Sequence, residues 1–169
     1  TRPLWELRCG LFTFRERFER VLSSRGLAPV RFMTRDYLAA PFRERFPAPS
    51  VNGVAGQAEG EEFLLLNALL YADPSIIDLE VDTAVADGPR LLAARLSRGC
   101  AVPLNEPDAV LRLPGIRVLD PESAWGKDWP GAPRYIRELI ERNSRWICKE
   151  AENAEGPPPG GVTIRTEER

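Results

Sequence analysis

The chain has 169 residues, 43% apolar and 28% charged, with a formal net charge of −2; this suffices for one domain with its own core and gives no general pull toward nucleic acid or acidic membranes. Histidine is absent, which excludes Ser-His-Asp and Cys-His nucleophilic sites and every His-ligated metal within the chain. Cys9, Cys100 and Cys148 are far apart and in no metal-ligand spacing, so they read as reduced thiols of a cytoplasmic protein; no signal peptide and no bilayer-length apolar run is seen, and no membrane partner is expected.

Residues 4–11 read as a short strand or an extended segment. Thr13-Phe14-Arg15-Glu16 fits a capping box, in which a Thr oxygen serves orphan helix amides and a Glu three residues later reciprocates. Phe14, Phe18, Val21 and Leu22 follow at helical spacing, and Gly26 ends the helix. Residues 29–33 suggest a short buried strand. Residues 34–46 suggest a helix that Pro41 should kink or end. Residues 47–50 read as a turn, and Val51-Asn52 as the start of a short strand.

Gly53, Gly56 and Gly60 fall in a loop over 53–61. Such a loop either brings backbone amides up to a phosphate or is a surface loop; it is neither GxGxxG nor a P-loop. The unbroken apolar run in 62–66 predicts a central strand buried on both faces. Asp73-Pro74 is an N-cap and N1 pair, predicting a short helix through Leu79. Residues 83–86 and 91–96 form a predicted hairpin around Asp87-Gly88, with Pro89 opening its second strand.

Residues 110–118 read as a strand pair or extended region around Pro114-Gly115. The longest helix is predicted over 133–150, with Ile136, Leu139, Ile140, Asn143 and Ile147 on one face. Asn143 there is expected to buttress a loop by hydrogen bonds. A Pro/Gly linker follows over 153–161, then the start of a further segment over 162–169. Strands interleaved with helices point to an α/β layered sheet with flanking helices over residues 1–152.

Among the candidate site residues, Arg8 precedes the helix opened by Thr13 and reads either as an anion contact near its positive end or as the partner of a carboxylate. Arg15 and Arg17 read as solvated helix positions. The near-exclusive use of arginine as the basic residue (the two lysines are Lys127 and Lys149) is either compositional or recruited for bidentate phosphate binding. Asn67 interrupts the apolar strand end, where ligands bind in open α/β sheets; it serves as a ligand contact or as a turn-former, and Asn52 reads the same two ways. Asp73, Asp78, Asp82 and Asp87 are scattered through caps and turns, and no spacing compels a Mg²⁺ site.

Thr1-Arg-Pro-Leu-Trp-Glu-Leu-Arg-Cys-Gly-Leu-Phe-Thr-Phe-Arg-Glu-Arg17 resembles the TRP…ELR.G..T..EK segment of the GlmU-like sugar nucleotidyltransferases. Val51-Asn-Gly53, Phe63-Leu-Leu-Leu-Asn-Ala-Leu-Leu70, Leu92-Ala-Ala-Arg-Leu-Ser97 and Glu138-Leu-Ile-Glu-Arg-Asn143 follow in the order such proteins carry them. The resemblance implies a nucleotide-diphospho-sugar transferase-like fold, truncated here at both ends. It also implies Mg²⁺-assisted transfer of a nucleotidyl group from an NTP to a sugar 1-phosphate, releasing pyrophosphate. The implied partners are a nucleotide and a sugar phosphate, with homo-oligomers formed through a left-handed β-helix that commonly follows.

Arg2, Arg8, Gly10 and Thr13 fall on the family's N-terminal motif, and Asn52 or Asn67 on its strand-end Asn. The motif's Lys is Arg17 here, the metal-binding Asp expected beside Asn67 is replaced by Ala68, and no Lys is evident for the triphosphate. The alternative to catalysis is therefore a catalytically degenerate domain that binds a nucleotide sugar or acts as a scaffold; no catalytic residue is assigned.

Overall fold

A computed structural model describes residues 3–27, 31–45, 50–52, 62–71, 74–97, 107–129 and 131–152. Arg2, the 53–61 glycine loop, Asp73, Cys100, the linker and 162–169 lie outside the described residues.

The first helix, α1 (Phe14–Ser23), starts where the capping box places it. The Thr13 hydroxyl oxygen accepts from the Glu16 amide at 3.2 Å, and the Glu16 carboxylate accepts from the Thr13 amide at 2.8 Å. The Leu27 amide returns to the Leu22 carbonyl across Gly26, whose φ of +68° suits a residue without Cβ. The buried face of α1 carries Phe14, Arg17, Phe18 and Leu22. Ahead of α1 the chain makes a 3-10 turn over Leu4–Glu6, not the strand entertained for this stretch.

Strand β1 (Arg31–Phe32) pairs in parallel with β2 (Ser50–Val51). Between them α2 (Asp36–Arg45) continues past Pro41, so the proline does not end it. Ala39 and Phe42, on one face of α2, are buried, and their packing outweighs the hydrogen bond the proline cannot donate.

The main sheet comprises β3 (Phe63–Leu66), β4 (Thr83–Asp87), β5 (Arg90–Leu96) and β6 (Arg117–Leu119), in spatial order β3-β5-β4-β6. β3 and β4 each run antiparallel to β5, whereas β6 is parallel to β4. β3 is thus an edge strand with four half-buried residues, not the predicted central strand. Both its faces do meet apolar clusters, Leu65 on one side and Leu64 and Leu66 on the other. An apolar run reports that contact but not the strand's place in the order. Asp87 pairs with Arg90, so the hairpin loop is Gly88-Pro89, one residue later than predicted. Gly88 takes φ +63° at the first loop position, as a II′ turn needs.

The 107–116 region is a 3-10 stretch (Pro107–Arg112) and a turn rather than a strand pair; its Val110 plugs the sheet against Ala84, Leu91, Ala94 and Leu96. The expected helix after Pro74 is one 3-10 turn, Pro74–Ile76. The opposite sheet face packs Val85, Leu92 and Ala93 against Phe18, Leu22, Leu70, Ile76 and Leu79.

Two helices close the described chain, α3 (Pro121–Trp125), capped by Asp120, and α4 (Ile136–Glu152). The buried stripe of α4 is Leu139, Trp146 and Glu150 with Asn143 half-buried between them, whereas Ile140 is 72% exposed. The predicted face is corrected by Trp146, which seats edge-on against Phe14 and tilted against Tyr71, with centroids at 5.6 and 4.9 Å. Trp5, Cys9, Phe42, Val51 and Leu139 complete this second cluster, so α1 bridges it through Phe14 to the sheet core through Phe18.

Candidate functional site

Residues 8–13, just before α1, double back as a tight loop. Arg8 bridges Thr13, and the Cys9 amide donates to the Phe12 carbonyl at 3.3 Å. Gly10, with φ +84°, turns its own amide and that of Leu11 toward α4. The Gly10 amide donates to Asn143 Oδ1 at 2.7 Å and the Leu11 amide to Glu150 Oε2 at 2.7 Å. Asn143 therefore buttresses a loop, as expected.

Arg17 reaches the same carboxylate from α1. Its Nε and Nη2 both lie 2.6 Å from Glu150 Oε1, and Nη2 also donates to the Cys9 carbonyl. Arg17 is 4% exposed and Glu150 8%, which corrects the solvated position read for Arg17. The guanidinium sits beside the rings of Phe14, Tyr71 and Trp146 at 4.9–5.2 Å, a cation–π setting strengthened by desolvation. Among the described residues its Nη1 has no hydrogen-bond partner. Burial pushes the Cys9 thiol up despite nearby Arg17, so Cys9 is a packing residue that donates to the Leu139 carbonyl. Arg15 bonds Glu6 and Glu19 at 2.6 and 2.8 Å. Arg8 itself is exposed and donates to the Leu11 carbonyl at 3.0 Å.

Asn52 lies at the end of β2 with φ +49°, a conformation Asn tolerates. Its side chain accepts from the Thr34 amide at 2.7 Å and donates to the Thr34 carbonyl and Asp36 Oδ1 at 2.6 and 3.0 Å. It thereby ties β2 to the start of α2.

Asn67 closes β3. Its Nδ2 donates to the Leu91 carbonyl at 3.0 Å, and its Oδ1 accepts from the Leu69 amide at 3.0 Å and from Arg90 Nη2 at 3.4 Å. Because β3, β4 and β6 run the same way, their carboxyl ends (Asn67, Asp87 and Asp120) share one sheet edge, where β5 begins at Arg90. Open α/β sheets bind ligands at that edge. Arg90 is half-buried, and burial disfavours its cation, with Asp87 opposing that effect. It makes no ion pair among the described residues and donates otherwise to the Ala132 carbonyl at 3.4 Å. Asp87 is taken by Arg134 at 2.5 and 3.1 Å, and this partner holds its carboxyl below the usual range. Asp108 accepts from the Leu91 amide at 2.9 Å.

The structure thus brings Arg8, Gly10 and Thr13 into one loop, Asn67 to the sheet edge and Asn52 to the β2 end. The three places share the aromatic cluster, which contains Cys9 and Val51 and takes Ala68 and Leu69 against it. Sequence reasoning missed Glu150 and Arg90, and it placed Arg17 on the motif's Lys without its buried role. The spacing of Asn143, Trp146 and Glu150 on one helix face was the available signal for Glu150; the start of a strand opposite Asn67 was the signal for Arg90.

No three acidic or thiol side chains converge as metal ligands among the described residues, and the carboxylates nearest Asn67 and Arg17 are engaged by protein donors. These residues do not fit a resident divalent ion. No helix among the described residues is long and apolar enough to cross a membrane.

No curated protein and no solved structure matches the chain. The sequence model of the sugar nucleotidyl transferase family matches residues 1–123, a stretch that holds the 8–13 loop, Arg17, all four strands of the main sheet, Asn67 and Arg90 but ends before α4. By that match over most of its length, the chain belongs to the sugar nucleotidyl transferase family.

Proposed function

We propose that the chain transfers a nucleotidyl group from an NTP to a sugar 1-phosphate. An oxygen of the sugar phosphate attacks the α-phosphorus, the bond to the bridging oxygen of the β-phosphate breaks, and pyrophosphate leaves. The observation that carries this reading, within the family, is Arg90: a half-buried guanidinium, without an ion pair among the described residues, at the carboxyl edge of the sheet. A cation partly stripped of water, with no carboxylate bonded to it among the described residues, is poised for a phosphate oxyanion. Asn67 acts as a positioning residue, its amide anchored on Leu91 while its oxygen holds Arg90. Arg8, exposed at the loop before α1, adds charge toward the phosphates, and Thr13 keeps that loop in register with the helix. Gly10 permits close backbone approach, and Asn52 fixes the neighbouring β2 end.

Mg²⁺ enters this proposal as the companion of the triphosphate. The test is pyrophosphate release with Mg²⁺, each NTP and a panel of sugar 1-phosphates. Arg90→Ala is expected to lower kcat/KM by about 10²–10³, as loss of one oxyanion donor does. Release with no pair rejects the activity; full activity in Arg90→Ala rejects the assigned residue.

A further inference from the structure

The loop before α1 has the makings of an anion site, yet a side chain already fills it. Two successive amides point outward from a left-handed glycine, that of Gly10 to the Asn143 oxygen and that of Leu11 to the Glu150 carboxylate, and outward-turned amides of this kind bind anions. The Arg17 guanidinium lies on the same carboxylate as the Leu11 amide, one oxygen to each. Two fixed donors of this kind read the oxygens of a phosphate as readily as those of a carboxylate. Buried donors to spare flank them: Arg17 Nη1 and Trp146 Nε1 have no acceptor among the described residues. The cradle lies within the family-matched residues 1–123, whereas its occupant, Glu150, comes from α4 beyond them.

We propose that α4 is a built-in competitor. Glu150 occupies an oxyanion cradle made by the Leu11 amide and Arg17, and a phosphate group of the nucleotide takes its place when the last turns of α4 swing away. The choice of a nucleotide phosphate rests on the nucleotidyl-transfer reading; the cradle and its occupant do not. Gly10 suits both states, since a Cβ there would lie 2.4 Å from Glu150 Oε2 and would block any anion seated in the same place.

The test uses the whole 169-residue chain and inorganic pyrophosphate as probe, with calorimetry for affinity and the ¹⁵N shift of the Leu11 amide for location. Glu150→Gln keeps the shape and removes the charge. It is expected to bind pyrophosphate roughly a hundredfold or more tighter than the wild type, the factor by which a buried ion pair keeps the latch closed, with the Leu11 resonance moving. A folded Glu150→Gln that binds no tighter, or that leaves Leu11 unmoved, overturns the proposal.

Should that variant not fold, hydrogen exchange on the wild type supplies the second reading. Exchange over residues 146–152 is expected to accelerate as pyrophosphate is added, and unchanged exchange overturns the proposal. Neither measurement needs turnover. Activity without the affinity gain removes the latch and leaves the transferase; the affinity gain without activity does the reverse.

Discussion

Replacing Gly10 with Ala probes the loop–α4 junction directly. Two costs add. An Ala held at the φ of +84° found for Gly10 pays roughly 1–2 kcal/mol for left-handed backbone. Its Cβ would also lie 2.4 Å from Glu150 Oε2 and 3.1 Å from Cδ. That carboxylate cannot simply rotate aside, because the Leu11 amide and Arg17 hold both its oxygens at 2.6–2.7 Å. Pulling one partner out of a buried pair costs about 3–5 kcal/mol, so a partial displacement brings the total to roughly 3–5 kcal/mol.

Gly26→Ala is the control: φ there is +68°, yet nothing lies within 4 Å of the added Cβ. It should cost only about 1–2 kcal/mol. Urea unfolding followed by far-UV circular dichroism measures both variants, and the difference between them isolates the steric conflict with Glu150. In the Gly10→Ala/Glu150→Ala double variant the two losses should be less than additive, because removing the carboxylate removes the clash. Equal costs for the two glycines would refute the contact on which this reasoning stands.

Further outcomes follow from the caps and the core. Burial alone would raise Glu16, but hydrogen bonds from the Thr13 amide and hydroxyl outweigh it and hold the carboxyl below its ordinary value near 4.5. The ionised form is therefore favoured by folding. Its contribution is present above about pH 4.5 and is lost as the pH falls through the lower folded value. The gap in urea midpoint between wild type and Glu16→Gln should accordingly shrink on acidification, and a constant gap would count against the capping box. Trp146, 1% exposed between Phe14 and Tyr71 and beside Arg17, should cost about 3–5 kcal/mol on truncation to Ala in the same titration. Pro41→Ala should raise stability by about 1–3 kcal/mol, because the exposed proline inside a continuous helix cannot donate the backbone bond an alanine would; a lower midpoint would show that its ring is needed.

Several short-range signals set their local structure. The Thr13–Glu16 box, the Gly26 stop and the hairpin between β4 and β5 depend on neighbours three to five positions apart, so composition and spacing determine them. The N-terminal motif likewise pointed to a sugar nucleotidyl transferase family. Tertiary packing decided the rest. The run in 62–66 marks an apolar strand, but its edge position follows from which strands pair with β5. Arg17 looks like any surface arginine of an amphipathic helix until Trp146 and Tyr71 close over it. Its partner Glu150 stands 133 residues further along the chain. No short-range pattern encodes an ion pair across that distance; burial of Trp146 against Phe14 brings the two charges together, and low local polarity then makes each depend on the other.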